Sequence, residues 1–361
     1  MNASSKPLIV PVFLPHQGCP HRCVFCNQYR ITAASGRPPR LQSLKAEIER
    51  FLSFGGKDRS PTQIAFFGGN FLGQRPDRIE RLLDLAGAFV QSGRADGIRF
   101  STRPDSITPD RIAALKSYPV TDVELGVQSM DDAVLRCSRR GHTAADTCAA
   151  AHRIKAAGYR LGLQIMVGLP GETGRQTFET ARKIAALGPD YVRIYPTLVL
   201  ADSPLADWMQ AGRYDPLSLE EALDRVQEMT LFFLNHDIAV IRIGLPVGCD
   251  GVLAGPRHPA FGHLVHSRLF LKMACRILED CAESRQSVAF CVHPGSYSRM
   301  QGHRGRNFVE LRRRFGISEI RLNTADSLPP DGLQLAGSGA PIRYRDLTSG
   351  VEALNLQPDA F

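Results

Sequence analysis

Three cysteines, Cys19, Cys23 and Cys26, stand close together in "GCPHRCVFCNQ" (18–28), with no fourth cysteine nearby. Thiolates so spaced in a loop are suited to holding metal. Three readings stand side by side. The thiols could be incidental core cysteines. They could bind zinc, if His16 or His21 supplied the fourth ligand such a site normally needs. They could also hold three irons of a cubic [4Fe–4S] cluster, which usually takes four thiolates. The fourth iron would then stay open to a substrate or cosubstrate, as catalytic metal sites keep a position free. The remaining cysteines (Cys137, Cys148, Cys249, Cys275, Cys281 and Cys291) fall singly on helix or strand candidates and read as small core residues.

Something must position these thiols, and the chain has the means. Its 361 residues are 43% hydrophobic and 22% charged, the balance of a folded protein with a substantial core. No apolar run reaches the roughly 18 residues needed to span a bilayer. The N-terminus lacks the form of a signal peptide. A cytoplasmic location is expected, where nine cysteines need form no disulfides. Lys and Arg total 44 against 36 acidic residues, a net +8 that suits tRNA or a small anionic metabolite. Arginines cluster in "RCSRRGH" (136–142), "SRMQGHRGR" (298–306) and "RRRF" (312–315).

Short β-rich runs alternate with amphipathic stretches, the pattern of βα units around a parallel sheet. Strands are expected at 8–15, 63–69, 98–102, 122–129, 161–169 and 191–199, and helices near 41–53, 76–92, 108–117, 143–157 and 174–187. Six such units fall short of the eight in a closed barrel. The fold class is therefore α/β, a partial (β/α)6 TIM-type barrel with a smaller α/β C-terminal extension. The expected domains are a barrel core over 1–237, an extension over 238–328 and a loosely structured tail over 329–361. In the extension, His263 and His266 would share a helical face and could suit a second metal. The plainer reading is a helix whose histidines meet solvent or substrate.

With aromatic Phe25 before its last cysteine, CxxxCxφC directly after the first barrel strand resembles the radical S-adenosylmethionine (SAM) superfamily. The resemblance implies a [4Fe–4S] cluster on Cys19, Cys23 and Cys26, with S-adenosyl-L-methionine on the open iron. One electron then releases a 5′-deoxyadenosyl radical. A flavodoxin or ferredoxin is the implied electron donor. Further contacts are implied at the C-terminal ends of the strands, where barrel sites are built. Gly68-Gly69-Asn70 looks like the family's glycine motif, although Glu is commoner than Asn at its third position. Alternation puts Glu124, Gly126 and Gln128 on one face of the fourth strand. By resemblance, Glu124 and Gln128 would hold ribose hydroxyls or line the substrate cavity. Gln164, Gly168, Gly171 and Glu172 would support the adenosine, and Arg193 and Tyr195 would lie at the adenine. Arg103 with Asp105 could hold an anion or form an internal ion pair. Arg140 is a candidate for the methionine carboxylate or a substrate phosphate.

"STRPDS", "ELGVQSMDDAVL", "LQIMVGLPGET" and "RIYPTLVL" look like the radical barrel of the Elongator catalytic subunit, over roughly residues 8 to 245. That branch modifies the wobble uridine of tRNA and carries an acetyltransferase domain. Here "RMQGHR" (299–304) ends in Arg where an acetyl-coenzyme A loop wants Gly or Ala, so no acetyl-CoA is expected. The competing expectations are a tetrapyrrole-like anionic substrate and an RNA-binding relative without turnover.

Overall fold

The computed structural model describes residues 7–20, 22–29, 39–54, 59–245, 251–281, 286–337 and 339–349. Two units divide the chain: Met1–Leu217 with Leu245–Pro256, and Ser218–Gly244 with Arg257–Phe361. Among the described residues, no helix is long and apolar enough to cross a membrane.

In the first unit, β1 (Leu8–Phe13), β2 (Thr62–Phe67), β3 (Gly97–Thr102), β4 (Val120–Gln128), β5 (Arg160–Val167) and β6 (Tyr191–Pro196) follow one another in both sequence and space. Every neighbouring pair among them is parallel. This is the open barrel wall expected of a partial (β/α)6 fold. The crossovers carry helices α1 (Leu41–Ser53), α2 (Pro76–Gln91), α3 (Pro109–Leu115), α4 (Asp132–Cys137), α5 (Ala144–Ala156) and α6 (Gly174–Ala186), and α7 (Pro204–Gln210) follows β6. Two of these helices are capped by their own sequence: Thr108 accepts from the Arg111 N–H, and Thr143 with Asp146 closes a capping box. Along β4, Val123, Leu125 and Val127 are fully buried, while the alternate residues face the other side. Phe66, Phe71 and Phe100 stack in series, with ring centroids 5.0 and 4.6 Å apart. Each buried ring contributes roughly 2–3 kcal/mol by leaving water.

The second unit centres on β7 (Ser287–Val292), which pairs in parallel with β8 (Glu319–Thr324) and antiparallel with β9 (Gly332–Leu335). Two expectations change here. The barrel core does not run through to 237: the helix Leu219–Asn235 belongs to the second unit, where Leu231 packs with Leu269, Phe270 and Met273. The 329–361 segment is not a loose tail over its described part. Leu333 and Leu335 alternate into the core, and Tyr344 and Leu347 close over it. Residues 350–361 and Cys249 lie outside the described residues.

Candidate active site at the strand ends of the first unit

The cysteine loop leaves β1 with the Leu14 N–H on the Phe67 carbonyl at 2.7 Å. His16 and Gln28 clasp its two ends. The Gln28 N–H donates to His16 Nε2 at 2.9 Å, and the His16 N–H donates to Gln28 Oε1. Burial, then Arg22, lowers the His16 pKa, which keeps the ring neutral and able to accept. His16 is thus used as a clasp. His21 lies outside the described residues.

Cys23 is buried, and Cys26 N–H donates to the Cys23 carbonyl at 3.1 Å. Burial, and then the nearby Cys23 and Cys19, push the Cys26 thiol up to about 12. Burial likewise raises Cys19. Without a metal Cys19 and Cys26 stay protonated, and a metal charge is what makes thiolates of them. Arg140 Nη1 reaches Cys23 Sγ at 3.4 Å. Gly126 leaves the space for that guanidinium: a Cβ there would lie 2.8 Å from Arg140 Nη2. Among the described residues, no three His, Cys, Asp or Glu side chains are placed to hold one metal ion. Cluster cysteines need not converge on one ion, because each binds a separate iron, so the donor set fits a [4Fe–4S] cluster.

Gly68, Gly69 and Asn70 follow β2. Both glycines have φ +76°. At Gly69 a Cβ would come within 2.4 Å of the Gln17 carbonyl, whereas at Gly68 the nearest atoms lie 3.6 Å away. Gly69 therefore makes a close approach of strand to cysteine loop, while a Cβ at Gly68 would rest in ordinary contact with Gln28, Leu14 and Pro15. Asn70 does what its departure from Glu left undecided. Its Nδ2 donates to Gly18 O at 3.1 Å and Ser106 Oγ at 2.8 Å. Its Oδ1 accepts from Thr102 Oγ1 at 2.6 Å and the Arg103 N–H at 3.1 Å. An amide can donate and accept in this way, while a carboxylate only accepts. Thr102 and Ser106 were missed in the sequence although they flank Arg103 in "STRPDS".

Two interior residues differ from expectation. Glu124 is 1% exposed, and its Oε2 accepts from Arg193 Nη1 at 2.7 Å and Ser101 Oγ at 3.0 Å. Its Oε1 accepts from the Tyr191 hydroxyl at 3.3 Å and lies 3.4 Å from Arg99 Nη1. Burial, then Glu124, pushes the Tyr191 phenol far up, so it remains a donor. All of these donors belong to the protein itself. Arg193 is correspondingly committed to Glu124, lying 5.0 Å over Phe67 and 5.3 Å over Tyr195. Arg103 resolves the other alternative as an ion pair. Its Nε and Nη2 take Asp105 Oδ1 and Oδ2, both at 2.9 Å.

At the end of β4, Gln128 has φ +72°, a left-handed backbone that is uncommon outside glycine. Its Oε1 accepts from Gln164 Nε2 at 3.3 Å, so these two expected residues meet. After β5, Glu172 Oε2 accepts from the Gly168 N–H at 2.6 Å, and Tyr214 donates to Gly168 O at 2.7 Å. Glu172 thus shapes the turn that contains Gly168 and Gly171. Tyr214 was not singled out in the sequence, because nothing local marks it. Phe25, from the cysteine motif, packs against a buried group of Val134, Met166, Leu169 and Tyr195.

The C-terminal histidines gather in the second unit. His258 and His303 stand edge to face with centroids 5.3 Å apart. Burial, then Arg299 and His263, pulls the His266 pKa down from 6.5 to about 4. Between those values the unfolded chain binds more protons than the folded one, so stability is lost as pH falls through that window. The expected loss from His266 is up to about 3 kcal/mol. Urea unfolding at pH 7 and pH 5 checks it, and H266F should flatten the difference.

The sequence matches the Radical SAM superfamily over residues 13–184 and the Radical_SAM C-terminal domain over 189–270. It is 27% identical over 297 residues to a tRNA uridine(34) acetyltransferase of Methanocaldococcus jannaschii, covering 72% of this chain and 54% of that protein. To human Elongator complex protein 3 it is 24% identical over 336 residues, covering 81% of this chain and 61% of that one. The chain thus spans little more than half the length of these relatives. Among solved structures, archaeal Elp3 of Methanocaldococcus infernus with an N-terminal deletion shares the fold. The TM-score is 0.60 at 23% identity, over 74% of this chain and 63% of that one. Because these two domains follow each other along the chain, it belongs to the radical SAM superfamily of enzymes, whose cofactors are a [4Fe–4S] cluster and S-adenosylmethionine.

Proposed function

We propose that this enzyme modifies a uridine of tRNA, acting in the cytoplasm with a flavodoxin or ferredoxin as electron donor. One observation carries the reading: the likeness to the tRNA uridine(34) acetyltransferase extends over 72% of the chain. The +8 charge suits such a polyanion.

Cys19, Cys23 and Cys26 would hold the cluster. When bound, the cluster and S-adenosylmethionine supply a carbon radical able to take hydrogen from an unactivated position. The protein's share is placement and protection. Arg140 sets a positive charge beside Cys23. The left-handed backbone at Gly68, and the Gln128–Gln164 pair at neighbouring strand ends, offer polar contacts to the cosubstrate. Glu172 holds the Gly168 turn in shape for the same task. Phe25, Met166, Leu169 and Tyr195 form an apolar wall that excludes water. Glu124 and Arg193 act from beneath, keeping β3, β4 and β6 in register as positioning residues.

Anaerobic reconstitution, followed by dithionite and S-adenosylmethionine, should yield 5′-deoxyadenosine. A fully loaded cluster that yields none would remove the catalytic reading. The substrate is tested by comparing modified tRNA nucleosides from cells with and without the protein. An unchanged nucleoside profile would overturn tRNA as substrate and leave a small anionic metabolite in its place.

A further inference from the structure

Immediately outside the cysteine loop, two arginines stack on the chain's only tryptophan. The Arg139 guanidinium lies 5.6 Å from the Trp208 ring centroid and that of Arg213 4.9 Å. Trp208 packs beside Phe25 against a buried group of Val24, Val199, Leu205 and Ala206. Val24 and Phe25 are the residues between Cys23 and Cys26. The Val24 N–H donates to Ser138 O at 3.1 Å, and the Leu205 N–H donates to Val24 O at 2.9 Å. The segment carrying Arg139 and the helix carrying Trp208 are therefore both tied to the cysteine loop.

The backbone aims these side chains deliberately. Arg139 has φ +50°, a conformation costing an L-residue roughly 1–2 kcal/mol. Across this turn Arg140 goes inward to Cys23, while Arg139 is exposed and meets Trp208. Arg213 follows the left-handed Gly212, and its N–H donates to Trp208 O at 2.8 Å. Among the described residues, neither Arg139 nor Arg213 has a carboxylate partner. Other exposed arginines do: Arg175 with Glu179 at 2.8 Å, Arg313 with Glu310 at 2.6 Å and Arg321 with Glu319 at 2.8 Å. A guanidinium stacked on an indole face loses rotamer freedom, yet its N–H edge can still fork onto an anion. Two such edges beside a metal loop make a preorganised receptor for phosphates.

We infer that Arg139, Trp208 and Arg213 form a phosphate clamp for single-stranded RNA, holding the substrate strand next to the cysteine loop. The inference rests on the tRNA reading and adds where the strand is gripped. A rigid pair of forks loses less entropy per contact than free side chains, and phosphate neutralisation makes the grip salt-dependent.

The test is fluorescence anisotropy of a labelled tRNA anticodon stem–loop with the full-length, cluster-loaded chain across a series of KCl concentrations. R139Q/R213Q should weaken binding roughly tenfold and lower the slope of log K against log salt by about 1.4, near 0.7 per phosphate contact. R139K/R213K should keep most of the slope while losing affinity, because lysine retains the charge but not the stacked fork. The charge-matched control K45Q/R312Q should change binding by less than about twofold if the grip is local. If R139Q/R213Q binds as the unsubstituted chain does, or the control weakens binding equally, the clamp is wrong while the tRNA reading stands. A wild-type chain that does not bind the stem–loop overturns both.

Discussion

Glu124→Ala is expected to cost about 3–5 kcal/mol of stability, the penalty for removing one partner of a buried charge network. Native chains have roughly 5–15 kcal/mol in total, so much of the reserve would go. The size follows from what the side chain leaves behind. Arg193 would lose its 2.7 Å partner, and Arg99, 7% exposed, would keep Asp122 at 3.3 Å as its carboxylate partner. Tyr191, fully protonated and buried, would lose its acceptor. Glu124→Gln keeps the shape but not the charge and should cost less, though still more than a surface change. Urea midpoints read both variants, and S-adenosylmethionine affinity separates the two roles that Glu124 could have. If Glu124→Gln left stability untouched and cut cosubstrate affinity, the carboxylate would touch ligand and the network would be incidental.

That contrast also shows where reading the sequence stops. Alternation along β4 correctly put Glu124 inside, because pleating is local. Its partners come from Ser101 on β3 and from Tyr191 and Arg193 on β6, and no pattern in β4 announces them. Arg103 was legible as far as its alternatives, since Asp105 is two residues away and a short-range pair is always open to it. The three cysteines stand out in the sequence by their spacing alone, and that spacing is what suggests a cluster. Six strand–helix units were legible because each strand and helix carries its own period and caps. The unit boundary was not. An amphipathic helix such as Leu219–Asn235 reports that it has an apolar face, not which core that face joins. Composition misled at 329–349, where Gly, Pro and Asp surround two alternating leucines that complete a sheet.

Gly69→Ala and Gly68→Ala are expected to fail in different ways, although the two glycines are neighbours with the same φ. Each substitution forces an L-residue into the left-handed region at roughly 1–2 kcal/mol. Gly68→Ala adds little more, since its Cβ would find the nearest atoms at 3.6 Å. Gly69→Ala must also push away the Gln17 carbonyl at 2.4 Å and the Gln17 nitrogen at 2.7 Å. Gln17 is not free to yield, because its carbonyl accepts the Asn70 N–H at 2.7 Å and its own N–H donates to Leu14 O at 3.2 Å. Displacing it moves the loop leading to Cys19. Gly69→Ala should therefore lose most of its iron after reconstitution, together with its brown absorbance. Gly68→Ala should keep its iron and lose S-adenosylmethionine binding, because an L-residue does not readily hold the left-handed backbone that presents these peptide groups. Iron per chain and equilibrium dialysis with labelled cosubstrate read the two effects separately. Equal iron in both variants would show that the Gly69–Gln17 approach does not hold the cysteine loop. Undiminished binding in Gly68→Ala would take Gly68 out of the cosubstrate site.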